Sequence, residues 1–276
     1  MLLKSVRMQI KSILNHKEVF ITMCILMLFV FINYFTNVLK YNGKDITDMY
    51  FPMKLLLLSS GSGAANYYFM QYFPLLVIIP VAFSYVYDRD SKEIIYIQSR
   101  VGLKHYYIGK IISVFLVAFF VFTIPFIIEI IINCIAFPIN ATGDLSNANI
   151  YEKIYIDLVG NYFFYNLYVI HPYIYTFLVT LVFGLICGVL TVFVVAISMY
   201  NIKFKILLFL PVYILLYGIG MIGHIVPSIK VSLSYFNYLS IFDCSKKSLI
   251  GYCLTIVLIL LVSIVMIMTK SRKDSL

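Results

Sequence analysis

The sequence predicts an all-α membrane protein with six membrane-spanning helices, and three observations carry that expectation. Hydrophobic residues make up 62% of the 276-residue chain and charged residues only 12%, against roughly half and a quarter in soluble domains. Six apolar runs, Val19–Leu39, Tyr68–Tyr87, Ile111–Phe137, Tyr173–Ser198, Lys205–Ile225 and Leu249–Thr269, reach the roughly 20 residues that a crossing helix needs. With the N-terminus inside, 14 of the 21 basic residues fall on the cytoplasmic side, so the positive-inside bias predicts that both termini are cytoplasmic.

Residues 1–18 set Lys4, Arg7, Lys11 and Lys17 against Leu3, Val6, Ile10, Ile13 and Leu14. That spacing predicts a basic amphipathic helix lying in the cytoplasmic interface. It does not read as a secretory leader, because the apolar run behind it is long enough to span and shows no small-residue cleavage site. Residues 19–269 form the six-span unit, and 270–276 are a basic cytoplasmic tail. The outer loop at 40–67 contains SSGSGAAN (Ser59–Asn66), a flexible turn before the second run. Pro74 and Pro80 lie in that run and favour a kink.

The densest charged stretch follows, DRDSKEIIYIQSRVGLKHYYIGK from Asp88 to Lys110. Ser91 is placed to cap a short helix carrying Ile94, Ile95, Ile97 and Val101, and Gly102 to stop it. Two readings stand side by side: a solvated loop that obeys the positive-inside bias, or a short docking helix that transmits force from a partner.

The third run carries Pro125 and Glu129, the only acidic residue inside a predicted span. Either Glu129 is about 12 Å from the outer end of the helix and faces the bundle interior, water or a partner subunit, or the helix ends earlier and Glu129 sits at the interface. In the long outer loop at 138–172, Tyr151, Ile154, Tyr155, Leu158 and Tyr162 share one face of an interfacial helix. Tyr162–Tyr175 reads as an aromatic belt or, alternatively, as a substrate-contacting surface. Gly184 and Gly188 predict close approach of another helix. Gly218, Gly220 and Gly223 match GxGxxG, but inside an apolar run they signal packing or a hinge rather than a dinucleotide site. The loop at 226–248 is apolar enough for short re-entrant or interfacial helices.

Catalytic signals are missing. Gly109-Lys110 lacks the upstream glycine and following hydroxyl of a phosphate loop, and His16, His105, His171 and His224 are scattered without neighbouring carboxylates, so no metal site is predicted. No single run clusters acids, histidines or asparagines as a proton relay would. The five cysteines form no CxxC and read as small buried hydrophobes; a Cys134–Cys244 bridge is open if both lie outside. The net charge of +9 is spread over short loops, which makes it a topology signal and excludes a nucleic-acid partner.

The organisation of the whole chain resembles the membrane permease subunits of type-2 ATP-binding-cassette exporters. The motif-like part is Asp90-x-x-Glu93, then Ser99-Arg100-x-Gly102, Tyr106 and Gly109-Lys110, similar to that family's loop before the third span. The resemblance implies that this loop is a coupling helix docked on a separate ATPase. Asp90, Glu93, Arg100, Gly102, Tyr106 and Lys110 are then coupling candidates and Glu129 a substrate-path candidate. It implies two ATPase copies that bind ATP and Mg, a second permease identical or homologous to this one, and residence in a bacterial plasma membrane. The cargo it implies is an amphipathic peptide such as a bacteriocin or lantibiotic cleared in self-immunity, a lipid-linked molecule or a drug. The chain departs from the family in lacking tryptophan and in carrying Glu129. The competing expectation is a non-transporting scaffold or sensor subunit that docks through the same loop.

Overall fold

The computed structural model describes residues 2–59, 64–138, 162–200, 205–225, 232–241 and 245–273. Among the described residues the regular structure is helical: α1 (Leu2–Leu14), α2 (Lys17–Tyr41), α3 (Ala64–Leu76), α4 (Ser84–Asp90), α5 (Glu93–Val101), α6 (Leu103–Ala136), α7 (Tyr165–Ile170), α8 (Pro172–Ser198), α9 (Leu210–Ile225), α10 (Tyr235–Leu239) and α11 (Leu249–Lys273). Four of these helices, α2, α6, α8 and α11, are long and apolar enough to cross a membrane. The chain is by this measure a membrane protein.

Helices α6 and α8 form the centre, packed along most of their length. Glycines set the distance between them. A Cβ at Gly188 would stand 2.7 Å from the Phe115 ring, and one at Gly184 would collide with the Thr123 hydroxyl, so the small-xxx-small pair does bring a second helix close. Gly218, by contrast, has nothing within 4 Å of its Cβ position. Phe69 and Phe73 of α3, Phe122 and Phe126 of α6 and Phe183 of α8 then interlock as ring pairs 5.3–6.5 Å apart, a geometry that adds to simple burial. Helix α11 is the peripheral one: 17% of its apolar window is buried within the chain, against 67% for α8.

The second and fifth runs depart from continuous helices. Tyr68–Tyr87 is broken, with α3 ending at Leu76 and α4 starting at Ser84. Pro80 stands in the gap, where it lacks an N–H and its ring excludes the preceding helical turn. Hydrogen bonds such as Ala82 N to Ile78 O at 3.0 Å and Ser84 N to Val81 O at 3.0 Å carry the chain through turns. Pro74 is accommodated within α3. Lys205–Ile225 begins as a 3-10 turn, Lys205–Phe209, before α9, and Pro211 fits the first turn of α9, where its missing N–H has no intrahelical partner to lose.

The largest revision lies in the predicted outer loop at 40–67. Residues 51–59 are buried throughout, with Met53 and Leu57 fully enclosed and Lys54 only 5% exposed. They form a 3-10 turn (Pro52–Leu55) and an irregular strand of chain inside the bundle. The Tyr162–Tyr175 belt is revised too. Tyr162, Tyr168 and Tyr175 are buried and pack ring on ring at 5.2–6.5 Å, because the Tyr175 hydroxyl finds the Ile241 carbonyl inside, at 2.9 Å. The predicted interfacial helix around Tyr151–Leu158 lies outside the described residues. So does Cys244; Cys134 carries a free thiol.

Candidate functional site

Helix α5 is an amphipathic peg between two backbone corners. Lys92 takes a left-handed conformation (φ 59°) at its start and Gly102 has φ 84° at its end, a geometry that glycine adopts without strain. Lys92, not Ser91, holds the N-cap position; the Ser91 hydroxyl donates back to the Tyr87 carbonyl at 2.8 Å, closing α4, and accepts from the Glu93 amide at 3.5 Å at the start of α5. Glu93 in the first turn and Arg100 in the last complement the helix dipole. Ile94 and Ile97 pack toward the core, while Ile95 and Tyr96 are 62% and 70% exposed. Asp90, Glu93, Arg100 and Gly102 are exposed with them.

Tyr106 and Lys110 are not on that surface. Both are buried, with Lys110 1% exposed, and both turn to a residue the motif did not single out, Asp88. The Lys110 ammonium meets Asp88 Oδ2 at 2.8 Å and the Ser84 carbonyl at 3.2 Å, and the Tyr106 hydroxyl donates to the same Oδ2 at 2.7 Å. A buried ion pair is tolerated only when hydrogen-bonded in this way. It pins α4 to the first turns of α6, and burial keeps both side chains off the exposed surface of α5.

Helix α1 completes this end. Its inward face is Ser5, Gln9 and Ile13, while Leu3 and Leu14 of the predicted apolar stripe stay exposed. Gln9 Nε2 donates to the Tyr106 carbonyl at 3.0 Å, Ser5 Oγ to the His105 carbonyl at 3.2 Å, and Ser113 Oγ to the Val6 carbonyl at 3.1 Å. Gly109 permits this approach, since a Cβ there would lie 2.6 Å from Ser5 Oγ. At the turn into α2, His16 stacks on Tyr87 at 4.8 Å and the Tyr87 hydroxyl donates to Glu18 Oε1 at 2.6 Å.

A second polar cluster lies about 28 Å along α6 from Lys110, at 1.5 Å per residue, close to the roughly 30 Å of a bilayer's hydrocarbon. Helix α6 continues to Ala136, so Glu129 is inside the helix and 1% exposed. Its Oε1 accepts from Asn33 Nδ2 at 2.8 Å and from the Leu57 amide at 2.7 Å. Asn33 and Asn37 also donate to the Leu55 carbonyl at 2.7 and 2.9 Å, and Asn66 to the Leu57 carbonyl at 2.7 Å. These side chains replace the hydrogen bonds that residues 51–59 lack as an irregular buried segment. The sequence pattern shows no polar cluster within one run because this one is assembled from three helices, α2, α3 and α6. Asn33 and Asn37, four apart on an apolar helix, and Glu129 and Asn133 with the same spacing, were the signal to be found. The Ile241 amide donates to Leu58 O at 2.9 Å and the Tyr235 hydroxyl to Met70 O at 3.0 Å, which closes the 235–241 segment over the cluster's neighbours. Burial, and then the Tyr217 hydroxyl, push Tyr235 above the usual phenolic range, so it stays protonated as that donor.

Comparison with family models, curated proteins and solved structures finds no match to this chain.

Proposed function

We propose that the chain is the membrane-embedded permease subunit of a type-2 ATP-binding-cassette exporter, with α5 as its coupling helix. The observation that carries this reading is the peg itself. A helix with Ile95 and Tyr96 exposed beside Glu93 and Arg100, set between α4 and α6, which Asp88, Tyr106 and Lys110 tie together, offers a partner a firmly seated surface.

In this reading the chain crosses the membrane six times. The α3–α4 pair and the 3-10 turn with α9 supply the second and fifth crossings; five residues at about 2.0 Å and sixteen at about 1.5 Å reach roughly 34 Å. The basic bias supports both termini on the cytoplasmic side of a bacterial plasma membrane. Two permeases, identical or homologous, pair with two ATPases. ATP and Mg are held by those ATPases, and this chain catalyses nothing itself. ATP binding closes the ATPases, the two pegs move together, and each peg passes its displacement to α6. The loop transmits force only to the extent that the ATPase binds its two positions differently. The Phe- and Tyr-rich interior suits an amphipathic cargo: a bacteriocin or lantibiotic in self-immunity, a lipid-linked molecule or a drug.

The test is ATP hydrolysis by the complex reconstituted in nanodiscs with its cognate ATPase, comparing wild type, Ile95→Asp and the double variant Glu93→Ala/Arg100→Ala. Loss of association or of coupled hydrolysis in these correctly folded variants supports the coupling role. Wild-type association and hydrolysis in both would remove it. Intact docking with hydrolysis that no cargo stimulates would favour the scaffold reading instead.

A further inference from the structure

Beside the peg lies a cleft of about 190 Å³ lined by Met8, Gln9 and Ser12 of α1, Asp88 of α4, Glu93, Tyr96 and Ile97 of α5, and Lys110 of α6. That is far above the roughly 10–15 Å³ that one water requires. Its polar lining is rich in acceptors. Gln9 is 2% exposed, and its amide orientation is fixed because Nε2 donates to the Tyr106 carbonyl and to Ser5 Oγ. Its Oε1 is buried with no hydrogen-bond partner among the described residues, a costly condition for an acceptor. Asp88 gives Oδ2 to both Tyr106 and Lys110. Glu93 adds a second carboxylate. Among the described residues the cation in the lining is Lys110, which is turned to Asp88 and the Ser84 carbonyl; Lys4, Arg7 and Lys11 of α1 lie outside the lining.

We infer that this cleft receives a basic side chain, an arginine by shape, from the ATPase that docks on α5; the assignment of the partner rests on the function proposed above. A guanidinium presents several donors in a planar fork, which suits a lining that offers Gln9 Oε1 and the Asp88 and Glu93 carboxylates together. Met8, Ile97 and the Tyr96 ring offer apolar wall for its aliphatic stem. Tyr96 joins the cleft to the docking surface, since it lines the one and is 70% exposed on the other. A side chain inserted there contacts α1, α4, α5 and α6 together, so it grips the α4–α6 tie as well as the peg.

The experiment uses the full-length chain and three variants, Ser12→Arg, Ser12→Met as a control for size, and Ile95→Asp. Thermal unfolding of the isolated chain tests the cation site; binding of the ATPase tests the partner. Ser12→Arg supplies a guanidinium from within and is expected to raise the Tm by about 2–4 °C over Ser12→Met, and to weaken ATPase binding at least tenfold. No rise over Ser12→Met would overturn the cation site. A rise with unchanged ATPase binding would overturn the inserted partner residue while the coupling role of α5 still stands, provided Ile95→Asp abolishes binding. If Ile95→Asp also binds normally, the proposed function fails with it.

Discussion

Replacing Glu129 by alanine and by glutamine separates an acceptor from a charge. Oε1 of Glu129 is the acceptor for two buried donors, the Leu57 amide at 2.7 Å and Asn33 Nδ2 at 2.8 Å. Alanine leaves both without it. A buried donor deprived of its partner costs about 1–3 kcal/mol, so Glu129→Ala loses about 2–6 kcal/mol before any cavity left at this fully enclosed site is counted. At about 2–4 °C per kcal/mol that is on the order of 5–20 °C in Tm. Glutamine keeps a carbonyl oxygen where Oε1 stands and should remain within about 1 kcal/mol of wild type. The assay is thermal unfolding in nanodiscs, followed by labelling of the buried Cys187 thiol. Equal destabilisation by the two substitutions would refute the acceptor role and show that the carboxylate charge holds residues 51–59 in place.

Lys110→Met strands the Asp88 carboxylate in a buried site and should destabilise by about 3–5 kcal/mol; Asp88→Leu combined with it should recover most of the lost Tm, and failure to recover would mean the pair does more than balance charge. Gly188→Ala drives a methyl to within 2.7 Å of the Phe115 ring and should cost about 1–3 kcal/mol, whereas Gly218→Ala, with open space around it, should be neutral or stabilise by up to about 1 kcal/mol; unfolding of the two variants side by side checks the pair. Gly109→Val should lift α1 off α6 while leaving α6 intact, seen as faster proteolysis at Arg7 and Lys11 with an unchanged helical spectrum.

The long helices were legible because apolar length is a local property: an apolar stretch at least eighteen residues long marks α2, α6, α8 and α11 whatever surrounds them. The break at Pro80 was half legible, since proline announces a kink but not how far the chain runs before it recovers a helix. The site divided along the same line. Asp90, Glu93 and Arg100 were found as an exposed charged stretch. Asp88 was counted among the charges but not as their anchor, because its meaning depends on Tyr106 and Lys110, 18 and 22 positions away. Burial of Pro52–Ser59 was not legible at all: a lysine and a proline in a short run read as a loop, and what overrides that reading is a set of asparagines and one glutamate on other helices.

That dependence sets an order of biogenesis. The Leu57 amide is satisfied by a residue 72 positions downstream, so at about 5–20 residues per second the ribosome needs roughly 4–14 s to deliver Glu129. Until then the segment is without the carboxylate that accepts this amide, and the aqueous boundary suits it better than hydrocarbon. Insertion of α6 thus favours withdrawal of the earlier chain from water, which couples the burial of residues 51–59 to a helix made after them.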